Sequence, residues 1–113
     1  MLWFRIRGFS KRDLEKLIKL EEAIKNIAFK KIIGTNPDDI TVDFLTDIID
    51  RSGRSIKVEI CIDEEKEKIS KVGQPLADKV KEVIILHFPN TQRIKVFINH
   101  LDVKNGFSEY AQK

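Results

Sequence analysis

What most constrains this chain is a strand–helix–strand pattern written twice. An alternating apolar run, a helix-period run and a second alternating run follow one another in residues 1–49, and the same series returns in residues 55–99. A polar tail covers 100–113, and nothing in the 113 residues marks a second domain, so the expectation is a single domain over 1–113. A doubled unit of this kind builds an α+β fold: one four-stranded sheet with two helices on one face. The other sheet face must meet something else, and what it meets is the functional question.

The local signals are specific. Leu2, Phe4 and Ile6 alternate with Trp3, Arg5 and Arg7, the period of a half-buried strand, and Gly8 ends it. Ser10 and Asp13 have the spacing of a helix-capping box, and Leu14, Leu17, Ile18, Ile24, Ile27 and Ala28 form the expected buried stripe of the first helix. Gly34 and Asn36-Pro37-Asp38 close it. Ile40, Val42 and Phe44 alternate with Thr41, Asp43 and Leu45 in a second strand, and Asp50–Arg54 reads as a turn. Ile56, Val58, Ile60 and Ile62 give the third strand the clearest alternation in the chain. Pro75 is expected in the first turn of the second helix, which places its start near Gln74 and leaves Glu64–Lys68 as a solvated loop. Leu76, Val80, Val83, Ile84 and His87 mark its buried side. Ile94, Val96 and Ile98 mark the fourth strand.

Sorted by period, the sheet has one aliphatic face and one mixed face. The mixed face carries Arg5, Arg7, Lys57 and Lys95 beside Asp43, Glu59 and Asp63, with Trp3, Leu45, Cys61 and Phe97 among them. A monomer would leave those charges solvated. An oligomer closing sheets around an axis would have to pair them, because unpaired buried charge is costly. The net charge of +3 is too mild to imply nucleic acid. No apolar run approaches a membrane span, no secretory leader is visible, and Cys61 stands alone, so a cytoplasmic protein without disulfides is expected.

Two architectures fit the doubled unit, a ferredoxin-like sandwich and a tautomerase-like fold, and periodicity does not separate them. Specific residues do tilt the choice. The run Val96-Phe97-Ile98-Asn99-His100-Leu101-Asp102-Val103, then Asn105-Gly106-Phe107, resembles the last strand and tail of the macrophage migration inhibitory factor group of the tautomerase superfamily. Further segments are similar to an uncharacterised bacterial branch of that superfamily. They are Phe4-Arg5-Ile6-Arg7-Gly8, Ile40-Thr41-Val42-Asp43-Phe44-Leu45, Val58-Glu59-Ile60, Gly73-Gln74 and Asp78-Lys79-Val80. The resemblance implies a homotrimer whose sheets enclose a central channel with the helices outward. It also implies a catalytic N-terminal proline whose lowered amine pKa lets it act as a base.

This chain has Leu2 where that proline would stand. A large residue there is expected to keep Met1 in place, so the only terminal base would be the Met1 primary amine, one residue out of position. A misplacement of about 1 Å can already cost about a hundredfold in rate. The expectation therefore leans away from an enzyme. Met1 and Asn99 remain the catalytic candidates. Arg5, Arg7, Phe97 and Asn99 are the ligand-binding candidates, Asn99 for a substrate oxygen and an arginine for a small carboxylate. The competing reading pairs those arginines with Asp43 or Glu59 across the sheet.

Cys61 has no fixed histidine partner and reads as a buried, inert thiol. His87 reads as a packed or helix-capping histidine. His87 and His100 are too far apart to suggest a metal site, and no cofactor is expected. Three functions follow. One is a trimeric protein that binds a small ligand or a partner without proline chemistry. Another is an active keto–enol tautomerase of a small carboxylic acid. The last is a ferredoxin-like binder of single-stranded nucleic acid, disfavoured because the third strand lacks the Lys/Arg-Gly-aromatic pattern of RNA-recognition modules.

Overall fold

A computed structural model describes residues 2–31, 37–45, 55–63 and 66–100. It holds β1 (Leu2–Arg7), a 3₁₀ turn (Lys11–Asp13) running into α1 (Leu14–Lys31), and a second 3₁₀ turn (Pro37–Asp39) leading into β2 (Ile40–Leu45). Then come β3 (Ser55–Ile62), α2 (Lys66–His87) and β4 (Arg93–His100). The strand order is β2-β1-β3-β4. β1 runs parallel to β2 and antiparallel to β3, and β3 runs parallel to β4.

That order decides between the two candidate architectures. In a ferredoxin-like split βαβ, another strand lies between the two strands of each unit. Here each unit's strands are direct parallel neighbours, Leu2 beside Ile40 and Ile56 beside Ile94. The ferredoxin-like alternative is therefore overturned. The chain has the duplicated βαβ arrangement of a tautomerase-like α+β fold.

The core lies between the aliphatic sheet face and the helices. Phe4, Ile6, Val58, Ile60 and Ile62 are fully buried, with Leu2 and Ile56 scarcely less so. Leu20, Ile24 and Ala28 of α1 and Leu76, Val80 and Ile84 of α2 pack onto them. Burying each large aliphatic side chain contributes about 1.5–3 kcal/mol, which makes this layer the main source of stability. Gly8 turns the chain out of β1 with φ of 108°, a conformation reserved for glycine, and a Cβ there would sit 2.1 Å from the Ser55 carbonyl oxygen. Ser10 then caps the helical turn, its hydroxyl accepting from the Arg12 N–H at 3.2 Å.

Two expectations need correction. The stripe of α1 is Leu17, Leu20, Ile24 and Ala28, whereas Leu14 and Ile18 stay 62% and 50% exposed. With the opening residues spent on a 3₁₀ turn, the face turned to the sheet is set by Leu17 and Leu20. Leu14 and Ile18 fall on the flank. The second correction concerns α2, which starts at Lys66 and carries Pro75 in its interior. Of the supposed loop Glu64–Lys68, residues 66–68 are helical and the rest lies outside the described residues. Pro75 and Lys71 both lie on the exposed side, so the Lys71 carbonyl that Pro75 leaves without a helical donor can be taken by water. The expected turns at Gly34 and Asp50–Arg54 also lie outside the described residues. None of the described helices is long and apolar enough to cross a membrane.

Candidate functional site on the open sheet face

The face turned away from the helices carries one connected line of polar and aromatic side chains across all four strands. Register creates it: Arg5 of β1 lies beside Asp43 of β2 and opposite Glu59 of β3, and Glu59 lies beside Phe97 of β4. From the β2 side, the Trp3 indole N–H donates to Asp43 Oδ2 at 2.7 Å. The Arg5 guanidinium stacks over the Trp3 ring, 5.1 Å from its centroid. On its other side Arg5 Nη1 lies 3.6 Å from Glu59 Oε2. Glu59 in turn accepts from Asn99 Nδ2 at 2.7 Å through its second oxygen.

The energies in this line are unequal. Arg5 and Glu59 are each about one-third exposed, so their pair, at 3.6 Å, is worth about 1 kcal/mol or less once solvent screening is counted. The short Asn99–Glu59 bond is charge-assisted and fixes the Glu59 rotamer more firmly. Arg5 Nε is buried beneath its neighbours and has no hydrogen-bond partner among the described residues. An unmet buried donor costs about 1–3 kcal/mol, more when charged. Arg5 therefore has capacity left over after Glu59.

Other members of the face are less engaged. Arg7 is exposed at the end of β1, where its register neighbours are Leu45 and Lys57. Phe97 is 44% exposed, and the Lys57 ammonium sits 5.5 Å from its ring centroid. Cys61 lies beside Asn99 and opposite Trp3, and it is buried. Burial pushes its thiol above the ordinary value, the Glu59 charge adds to that, and Arg5 opposes it. At neutral pH it is a protonated, weakly nucleophilic group.

Of the residues singled out from the sequence, Arg5, Asn99 and Phe97 thus share one face, with Arg5 and Asn99 joined through Glu59. Arg7 stands apart at the strand end, and Met1 lies outside the described residues. Sequence reasoning treated Glu59 only as a possible ion-pair partner. It is the hub, and its central place on β3 together with the alternation of that strand was the signal available. Leu2, at the position of the expected proline, is 1% exposed and faces the helices. His87 lies on α2, its Nδ1 donating to the Val83 carbonyl at 2.9 Å, and plays no part here. Among the described residues no group of three His, Cys, Asp or Glu side chains is placed to hold a metal ion.

No protein-family model matches the sequence, and no curated protein does. Solved structures do match. MIF2 of Leishmania major superposes with a TM-score of 0.68 at 17% identity, over 89% of each chain. A macrophage migration inhibitory factor-like protein of Entamoeba histolytica gives 0.67 at 10% identity, over 97% of this chain and 95% of its own. A fused 4-OT, described as a symmetric trimer, gives 0.71 at 6% identity, over 95% and 93%. At such identities the likeness concerns the fold. The chain has the fold of the tautomerase superfamily.

Proposed function

We propose that this chain assembles as a homotrimer through its open sheet face and binds a small carboxylate there, without the proline base of tautomerases. The observation that carries the reading is the line Asp43–Trp3–Arg5–Glu59–Asn99. It is a half-buried charged network on the face no helix covers, and one Arg5 N–H is left unmet. The Arg5 side chain is about one-third exposed and pairs with Glu59 through Nη1, which leaves Nη2 for a carboxylate oxygen, and Asn99 keeps a carbonyl and a second amide hydrogen for a further contact. Enclosing this surface by copies of the chain would remove water from the pairs and strengthen them, provided each charge stays partnered. The fused 4-OT with the same fold is a symmetric trimer, which supports the assembly by analogy.

The leaning away from catalysis rests on Leu2. Its side chain is spent on the core, so the residue that opens β1 serves packing.

The test has two steps. Light scattering at micromolar concentration should give a particle of three chains; a monomer would remove the reading. Phenylpyruvate should then raise the melting temperature saturably in the wild type and far less in Arg5→Gln. Absence of any shift removes this carboxylate class, while keto–enol turnover above the buffer rate would replace the binding reading with an isomerase.

A further inference from the structure

On the helix side of the molecule a groove of about 410 Å³ runs along the flank of α1, with Phe9, Leu14, Ile18, Phe44 and Leu45 as its apolar lining. It lies where β1 and β2 end, at Arg7 and Leu45, and it shares no residue with the Arg5–Glu59–Asn99 line. Leu14 and Ile18 are one turn apart on α1, so together they present a strip that the fold leaves in water. Phe9 and Phe44 form the floor, edge to face with centroids 6.2 Å apart.

The charges at the two ends of the groove differ. Lys11 lines one end and makes no ion pair among the described residues. Glu21 lines the other, about 15 Å along the axis by the helical rise, and its charge is offset by Lys25 at 3.6 Å. We infer that the groove binds an amphipathic carboxylate, with an alkyl or arylalkyl body along Leu14 and Ile18 and its acid group at Lys11. The volume falls in the range of about 300–1,000 Å³ usual for small-molecule sites. The concave shape fits a narrow chain rather than the flat face of a second subunit. Glu21 disfavours the reversed orientation, because an acid group there would meet a like charge. The site is independent of the proposed trimer and would survive its failure.

Titration calorimetry with decanoate below its micellar concentration tests this, using the whole protein. Saturable binding of one decanoate per chain is expected. Ile18→Glu should abolish it, and Lys11→Glu should weaken decanoate about twofold to fivefold, the scale of one exposed ion pair, while leaving decanol unchanged. Both positions are exposed, so circular dichroism should show the wild-type fold. Leu86→Glu, at a 77% exposed site on α2, is the control and should bind normally. Failure to saturate, equal loss in the Leu86 variant, or decyltrimethylammonium binding as tightly as decanoate would each overturn the inference. A change of particle mass in Ile18→Glu would also overturn it, since the groove would then be a contact between subunits.

Discussion

At the residue scale, the two described glycines make opposite demands. Gly8 has a positive φ and a carbonyl oxygen 2.1 Å from where a Cβ would stand. Gly8→Ala must therefore strain the backbone and also push β3 aside at Ser55. Together these should cost about 2–4 kcal/mol, seen as a lower urea midpoint with an unchanged m-value. Gly73 is buried in the helical interior of α2, and an added methyl would meet Ile98 at 3.7 Å, an ordinary contact. Gly73→Ala should gain about 0.5–1 kcal/mol by restricting the unfolded chain, and a lower melting temperature would show that the helix and β4 are packed more tightly than this spacing allows. Cys61 makes a third case. Its thiol pKa is raised by burial and by Glu59, so the folded state holds that proton more tightly than the unfolded state does. Stability is unaffected below the thiol's unfolded pKa and declines as pH rises through the raised folded value. Urea titrations at alkaline pH should show that decline in the wild type and less of it in Cys61→Ala, and iodoacetamide at pH 8 should modify the folded thiol more slowly than the unfolded one.

At the scale of elements, α2 shows where sequence logic meets tertiary packing. A proline usually marks a helix start, and Gly73-Gln74-Pro75 reads naturally that way. Yet Val72 and Ile69 pack against the core about one and two turns before Pro75, and that apolar surface holds the preceding helix in place despite the lost hydrogen bond. Pro75→Ala should restore the bond to the Lys71 carbonyl, worth about 3 kcal/mol. Against this stands about 1 kcal/mol of lost chain stiffness, for a net gain of about 2 kcal/mol in denaturant unfolding. No gain would mean that the proline sits in a distortion the helix needs. The same packing logic explains what was legible in the sequence. The strands were, because Ile56, Val58, Ile60 and Ile62 obey a period of two, and one buried face dictates that period whatever the partner strand. The strand order was not, since parallel and crossed arrangements bury the same residues. The α1 stripe was legible only in part, because a 3₁₀ turn shifts the phase and periodicity does not announce such a turn. On the open face, Arg5 and Asn99 were identifiable individually. Their connection through Glu59 depends on a register that only the folded sheet supplies.

For the molecule as a whole, the asymmetry between the two sheet faces is the dominant fact. One face is saturated by α1 and α2. The other carries a charged line whose pairing is incomplete at Arg5, and β2 and β4 are edges of the sheet among the described residues. Unpaired edges and a half-buried polar face are ordinarily managed by covering them. Phe97 is the sharpest probe of whether copies of the chain do so. In one chain it is 44% exposed, with the Lys57 ammonium over its ring and Glu59 beside it in register. In an isolated chain the new carboxylate would meet the Lys57 ammonium and the Glu59 carboxylate in water, where attraction and repulsion largely offset, so Phe97→Glu should cost about 1 kcal/mol or less. In a trimer the same carboxylate would enter an interface already holding Glu59 in the adjacent register position, and the desolvation and like-charge terms would amount to several kcal/mol. The expected outcome is a particle of one chain by light scattering with an unchanged far-ultraviolet circular dichroism spectrum. Retention of three chains would place the contact elsewhere on the molecule. Loss of the spectrum would mean that Phe97 supports the sheet itself, and the milder Phe97→Ser then carries the comparison, because it removes the ring without adding a charge.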